Sequence, residues 1–249
     1  MLNRQTVERL HEMRLFGMAE AFARQLERPD SAELSFEERF GLLVEYEWTY
    51  RQNQRLARLL RQARLRLPAC LEDIDYRYPR GLDRGLLKSL GTCQWIHQRQ
   101  NVLITGPTGV GKTFIACALA NAACRQGLSA RYYRTPRLLQ DLALARGDGT
   151  YPRVPGQLAR ISLLVLDDWG LAPVSETQAR DLLEVIDDRY NVTSTIVVSQ
   201  VPLEHWHGLL PDPTIAEAVL DRLLHNAFRI ALRGESMRKV LHQNDQSGK

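Results

Sequence analysis

The sequence predicts an α/β fold of the P-loop type: a central parallel sheet flanked by helices, preceded by a small all-helical N-terminal domain. Three observations predict it. Short β-rich runs alternate with helical patterns from Val102 onward. One of those runs leads straight into a glycine-rich loop and then a helix. The first 67 residues carry helical periodicity interrupted by one proline, Pro29. Strand–helix alternation at this spacing means βαβ units and a parallel sheet.

The chain has 249 residues, enough for one sizeable core or a modest core plus a small accessory domain. At 44% hydrophobic and 25% charged it has the balance of a soluble globular protein. No run approaches the roughly 20 apolar residues needed to span a bilayer. Met1-Leu-Asn-Arg-Gln leads into a charged helical pattern with no signal-peptide apolar region. A cytoplasmic protein without membrane contact is therefore expected. Cys70, Cys93, Cys117 and Cys124 form no C-x-x-C pair, and no His stands at zinc-finger spacing from them, so they read as buried or idle thiols. The net charge of +4 suits a nucleic-acid partner without establishing one. Before residue 81 there is no lysine, and every cation of the Lys/Arg type is Arg. The Arg fork matches phosphate geometry, although an Arg-rich composition also reflects genome base content.

In chain order, two short helices are expected first, broken near Gly17 and near Pro29. Ser35 and Glu38 form a capping-box pattern that opens a long helix, Phe36 to about Leu67. Its apolar positions, among them Phe40, Leu43, Val44, Leu56, Leu59, Leu60 and Ala63, largely recur at spacings of three and four. Pro68, Pro79 and Gly81, with acids at Glu72, Asp73 and Asp75, mark residues 68–82 as a linker that packs on the next domain. A helix over about Asp83–Gln98 opens that domain, 83–240. Strands are expected at Val102–Thr105, Ala130–Tyr133, Leu163–Leu166 and Thr195–Ser199. Residues 241–249 read as a polar tail.

The strand Val102–Thr105 runs into Gly106-Pro107-Thr108-Gly109-Val110-Gly111-Lys112-Thr113, and a helical pattern begins at once. This is G-x-x-x-x-G-K-[ST] in its required strand–loop–helix setting. Glycines let the backbone curl so that its N–H groups face phosphates, and the helix N-terminus adds partial positive charge. Lys112 can reach the β- and γ-phosphates, and the Thr113 hydroxyl can ligate Mg²⁺. ATP with Mg²⁺ is the expected ligand pair.

Leu163-Leu-Val-Leu-Asp167-Asp168 is an apolar strand ending in two acids, as a central parallel strand near a ligand should. Asp167 is placed to hold Mg²⁺, and Asp168 to orient or deprotonate the attacking water. Many ATPases carry Glu at the second position, and Asp reaches less far. The strand Thr195–Ser199 ends in polar residues, Ser199 and Gln200, before Pro202. A helical stretch after Pro213 ends in Asp221-Arg222-Leu-Leu, where Arg222 reads either as an arginine finger for a neighbouring subunit or as a surface Arg paired with Asp221 or Glu217.

No acid lies between Trp48 and Leu71, a span that holds Arg51, Arg55, Arg58, Arg61, Arg64 and Arg66. On a helix Arg51, Arg55 and Arg58 share one face and could follow a DNA backbone; pairing with acids such as Glu33, Glu37 and Glu38 is the alternative. His205 and His207, two apart, point to different sides of a short helix, so packing or capping rather than metal binding is expected.

Taken together these residues resemble the IstB-like family of transposition helper ATPases, AAA+ proteins related to the DnaC helicase loaders and DnaA initiators. Beyond the phosphate loop the resemblance rests on Arg80-Gly-Leu-Asp83, Leu166-Asp-Asp-Trp-Gly170, Asp188-Arg-Tyr190, Ser199-Gln-Val-Pro202, His205-Trp206, Asp221-Arg-Leu-Leu-His-Asn226 and Gly234-Glu-Ser-Met-Arg-Lys239. It implies an AAA+ ATPase domain behind a helical N-terminal domain that serves DNA binding or self-assembly. It also implies a phosphate-facing side chain at Ser199 or Gln200, Arg222 as the arginine finger, and Arg238 as a second nucleotide-sensing Arg. Residues near Tyr76–Arg80 would flank the adenine. Arg134, Arg137, Arg146 and Arg153 fall where DnaA-like proteins face DNA.

The function so implied is an ATPase that oligomerises on double-stranded target DNA and recruits or activates a cognate transposase, with hydrolysis resetting the assembly. A DnaC-type replicative helicase loader is the alternative. A small-molecule P-loop kinase fits poorly, because no separate acceptor-binding motif is present.

Overall fold

The computed structural model describes residues 2–27 and 33–237. The chain divides into two compact units, Met1–Arg58 and Leu59–Lys249.

The first unit is helical. Helix α1 (Leu2–Glu12) and α2 (Phe16–Glu27) precede the long α3 (Phe36–Ala63), whose last turn belongs to the second unit. The break between α1 and α2 falls at Met13–Leu15, with Arg14 in the left-handed region (φ 60°), and not at Gly17. Gly17 instead lies inside α2, where a Cβ would meet Tyr50 Cβ at 2.7 Å and the backbone of Glu47 at 3.0 Å. Absence of a side chain there lets α2 approach α3. Glu47, nearly buried, completes the contact by accepting from the Met18 N–H (3.0 Å) and from Arg51 Nε (2.6 Å). The expected capping box opens α3: Glu38 N–H donates to Ser35 Oγ (3.2 Å) and Ser35 N–H to a Glu38 carboxylate oxygen (2.8 Å). The helix stops at Ala63, short of Leu67, and Arg64 turns the chain at φ 49°. Pro68 disfavours helical geometry at Leu67. The break expected at Pro29 lies outside the described residues.

The second unit is built on a five-stranded parallel sheet in the order β2-β3-β4-β1-β5. Its strands are β1 (Asn101–Thr105), β2 (Ala130–Arg134), β3 (Leu163–Trp169), β4 (Ser194–Ser199) and β5 (Ala227–Ala231). Between and around them run α4 (Arg84–Gly91), α5 (Gln94–His97), α6 (Lys112–Arg125), α7 (Thr135–Gly147), α8 (Val154–Ala159), α9 (Glu176–Asp187) and α10 (Pro213–Leu224). Because strand side chains alternate, Leu103, Leu164, Leu166 and Val197 share one face and pack in a core with α7, α9 and α10. Helix α6 crosses β1 to β4, burying Ile115, Ala116, Leu119 and Ala123. A sheet covered on both faces needs apolar residues at its centre, which is why β3 and β4 are built on the hydrophobic runs Leu163–Leu166 and Ile196–Val198.

The four expected strands are present, each extended by one to three residues. The fifth, β5, pairs among the described residues only with β1 and was not expected. The single helix expected over Asp83–Gln98 is two, because Cys93 adopts a left-handed conformation (φ 58°) between α4 and α5. Trp206 lies fully buried on a 3₁₀ turn, 5.5 Å from the Trp169 ring, and its indole N–H donates to the Val201 carbonyl. No helix among the described residues is long and apolar enough to cross a membrane.

Candidate nucleotide site

The sheet order places β4 between β1 and β3, so the carboxyl ends of three adjacent strands form one rim. Ligands of open α/β sheets bind at such a rim. A cleft of about 480 Å³ opens there, lined by the phosphate loop, Asp167, Asp168 and Gln200. That volume falls in the range of small-ligand pockets.

The loop after β1 leads directly into α6, whose first residue is Lys112. Gly111 caps the helix at φ 94°, and a Cβ there would strike the Arg80 guanidinium. Gly109, at φ 87°, would strike the side chain of Ser236. The loop is thus clasped by segments on either side of it in sequence. Arg80, 2% exposed, donates to the Val110 carbonyl (2.8 Å) and the Asp75 carbonyl (3.0 Å), and Met237 N–H donates to the Gly109 carbonyl (3.0 Å). Lys112 Nζ donates to the carbonyls of Gly106 and Pro107, both at 2.7 Å. Burial holds the Lys112 ammonium below its ordinary pKa, against the opposing pull of Asp167 and Asp168.

The two acids end β3 on a β-bulge. Leu166 pairs with Val197 and Trp169 with Ser199, so β3 advances three residues where β4 advances two. Asp168 carries the irregularity in the left-handed region (φ 58°). In a regular strand neighbouring side chains point to opposite faces; here both carboxylates reach the cleft. Asp167, 2% exposed, accepts from Thr113 Oγ1 (2.8 Å) and Tyr132 Oη (2.7 Å), and its other oxygen accepts from the Asp168 N–H (2.8 Å). Burial, followed by the hydrogen bond to Asp167, pushes the Tyr132 hydroxyl far above its ordinary pKa, so it remains a proton donor. Asp168 takes Arg134 Nε at 2.6 Å. Arg66 Nη1 lies 3.9 Å from Asp167 Oδ2 and 3.8 Å from Asp168 Oδ2. The Tyr132 hydroxyl is the largest influence raising the Arg66 pKa.

At the end of β4 the two polar residues differ. Ser199 is 1% exposed; its hydroxyl donates to the Trp169 carbonyl (2.7 Å) and accepts from Val201 N–H (3.0 Å). Gln200 is exposed and accepts from Thr108 Oγ1 of the phosphate loop at 2.6 Å. Gln200 is therefore the side chain that faces the loop.

Arg222 lies elsewhere. Its backbone carbonyl accepts from Asn101 Nδ2 (3.2 Å), at the amino end of β1, while the phosphate loop begins at the carboxyl end. A strand of this length separates the two ends by about 13 Å at ~3.3 Å per residue. Arg222 pairs with Asp187 and donates to the Ala218 carbonyl (2.9 Å). Arg238 lies outside the described residues.

The arginines expected to face DNA separate into groups. Arg134, the last residue of β2 and so beside the end of β3, donates to Asp168 in the cleft. Arg146 pairs with the buried Asp181 and stacks over Tyr151 at 3.7 Å, and Arg51 is engaged by Glu47. Arg55, Arg58, Arg137 and Arg153 are exposed, with Arg137 3.0 Å from Asp141 one turn on. Sequence reasoning missed Tyr132, the buried contacts of Arg80, and the presence of Arg66 and Arg134 in the cleft. Arg80 had a signal, in the Arg80-Gly-Leu-Asp83 motif; the others had none beyond local charge.

The donor set fits a nucleotide with a divalent cation. A buried carboxylate 2.8 Å from the first-turn Thr113 hydroxyl makes with it a pair of hard oxygen ligands, and among the described residues Lys112 is bonded only to loop carbonyls that a phosphate can replace. A parallel sheet in this order with this loop defines a P-loop nucleotide-binding protein of the AAA+ fold. The DnaI crystal structure matches with TM-score 0.57 at 20% identity over 66% of this chain and 91% of that one; the DnaC helicase loader matches with TM-score 0.50 at 20% identity over 63% and 94%. The chain belongs to the IstB-like ATP binding protein family, whose model matches residues 8–246. It is 50% identical over 239 residues to an insertion sequence ATP-binding protein of Sinorhizobium fredii, covering 96% of this chain and 98% of that protein. It is 53% identical over 203 residues to the ATP-binding protein of insertion sequence IS1162 from Pseudomonas fluorescens, covering 81% and 88%.

Proposed function

We propose that the protein is an Mg²⁺-dependent ATPase that assembles as a homo-oligomer on double-stranded DNA and recruits or activates the transposase of its insertion sequence, with hydrolysis resetting the assembly. The observation that carries this reading is the separation, within one chain, of Arg222 from the phosphate loop: the two stand at opposite ends of β1. An arginine that acts on phosphate from there acts on a neighbour's site, so hydrolysis requires assembly.

In this reading Gly106–Thr113 cradle the phosphates, and Lys112 leaves the loop carbonyls for the β- and γ-phosphates. Thr113 and Asp167 hold Mg²⁺, which when bound neutralises charge on the phosphate oxygens. Asp168 orients the attacking water and takes its proton. Gln200 attends the terminal phosphate, Ser199 serves the backbone beneath it, and Arg238 is a second nucleotide-sensing group. Residues 1–67 serve DNA binding or self-assembly, and 68–82 link them to the ATPase domain, 83–240; the polar tail expected at 241–249 lies outside the described residues. Arg55, Arg58, Arg137 and Arg153 offer exposed guanidiniums to the DNA backbone. The Arg137–Asp141 pair is a surface pair of small worth that a phosphate can displace.

Analytical ultracentrifugation with duplex DNA tests the reading. A large complex that forms with ATP, dissolves with ADP and is abolished by Lys112→Ala is the expected result. A monomer indifferent to duplex DNA under all three conditions refutes it and turns attention to a replicative helicase as partner.

A further inference from the structure

The cleft holds an arginine that the phosphate-loop chemistry leaves without a task. Arg66 follows α3 by three residues, and its Nη1 stands at ion-pair distance from both Asp167 and Asp168. Its side chain is 46% exposed toward the cleft it lines. Asp168 already has a direct partner in Arg134, and Asp167 is satisfied by Thr113 and Tyr132. The close partner of Arg66 is the Tyr132 hydroxyl, and neither acid depends on the guanidinium for a close contact, so Arg66 supplies counter-charge to the pair and can be drawn away.

Entry of a magnesium–nucleotide complex changes the charge around it. With a dication held by Thr113 and Asp167, the carboxylates would no longer need Arg66, whose guanidinium would be pushed from them. The terminal phosphate of ATP at the same time brings new anionic oxygens into the cleft, for which a planar guanidinium is well shaped. ADP brings the cation without those oxygens. We propose that Arg66 is a nucleotide-discriminating residue acting within its own chain: it guards the paired acids in the empty cleft and passes to the terminal phosphate of ATP. This rests on the ATP-binding reading of the same cleft. It is separate from Arg222, which that reading assigns to a neighbour's site, and from Arg134, which stays on Asp168.

The test is calorimetric titration of full-length protein with ATP and with ADP, each with Mg²⁺, comparing wild type, Arg66→Gln and Arg66→Lys. Loss of one charge-assisted hydrogen bond corresponds to about tenfold or more in affinity. Arg66→Gln is expected to weaken ATP by about tenfold and leave ADP within about twofold, with Arg66→Lys in between. An ATP-to-ADP affinity ratio equal to wild type in both variants overturns the proposal, whether the two affinities fall together or stay put. Should Arg66→Gln fail to fold, the ratio in Arg66→Lys decides alone. A wild type that binds ATP through Lys112, together with an unchanged ratio, sinks only the role of Arg66. A wild type that binds neither nucleotide sinks the ATP-binding reading as well.

Discussion

Asp168 adopts a backbone conformation that most side chains avoid, and the site depends on it. A non-glycine residue at φ 58° is strained by roughly 1–2 kcal/mol, least for Asp and Asn, whose short polar side chains bond locally. Asp168→Asn is therefore expected to keep the fold and ATP binding while lowering hydrolysis by about 10²–10⁴-fold, the usual contribution of a general base. Phosphate release measured alongside nucleotide affinity checks this; retention of wild-type turnover would remove Asp168 from the chemistry. Gly111→Ala makes a second prediction. Its methyl group would displace the Arg80 guanidinium and sit at a φ that L residues resist, so ATP affinity should fall even though no phosphate-binding side chain is lost. The phosphate loop and Asp167–Asp168 were legible because each combines a fixed residue order with a strand that must precede it. Arg134 and Arg66 were not. A guanidinium 34 residues before its carboxylate in sequence looks like surface charge until strand order brings β2 beside β3.

At the level of elements, the central strands announced themselves because burial on both faces gives each an apolar run, with polar residues confined to the strand ends. Edge strand β5 hid for the opposite reason. Ala227-Phe-Arg-Ile-Ala231 is short, carries a charge and follows α10 by two residues, so it reads as the fraying end of a helix. Asp188-Arg-Tyr190, one of the motifs behind the family resemblance, has a structural use. Arg189 is 2% exposed, and its guanidinium donates to the carbonyls of Leu158, Ile161 and Ser194 and to Thr195 Oγ1 (3.1 Å). It ties the end of α9 to the end of α8 and the start of β4. Arg189→Met would take the guanidinium from those buried acceptors and is expected to cost about 3–5 kcal/mol, read as a large drop in the thermal unfolding midpoint. In the N-terminal unit, Gly17→Ala should force α2 from α3 and cost about 1–3 kcal/mol, measured by denaturant unfolding.

For the whole molecule, the division of the proposed site between chains makes a mixing experiment informative. Asp168→Asn, which keeps ATP binding, and Arg222→Ala should each be nearly inactive. Mixed in equal amounts they should recover about a quarter of wild-type hydrolysis, since random neighbours pair an intact Asp168 with an intact finger that often. A mixture no more active than its components would refute a site completed by a neighbour's Arg222. DNA contact has its own signature. Replacing both Arg55 and Arg58 with Ala should reduce the slope of log affinity against log salt by about 2, if each guanidinium neutralises one phosphate.

The position of Arg222 at the far end of β1 also bears on timing. Should the chains stack into an open row along DNA, every member but one would receive a finger from the next. The last has no neighbour on that side and would keep its ATP after the others have turned theirs over. The row would then carry a chemical mark of where it ends, renewed with each arrival, and the oldest members would be the first to let go.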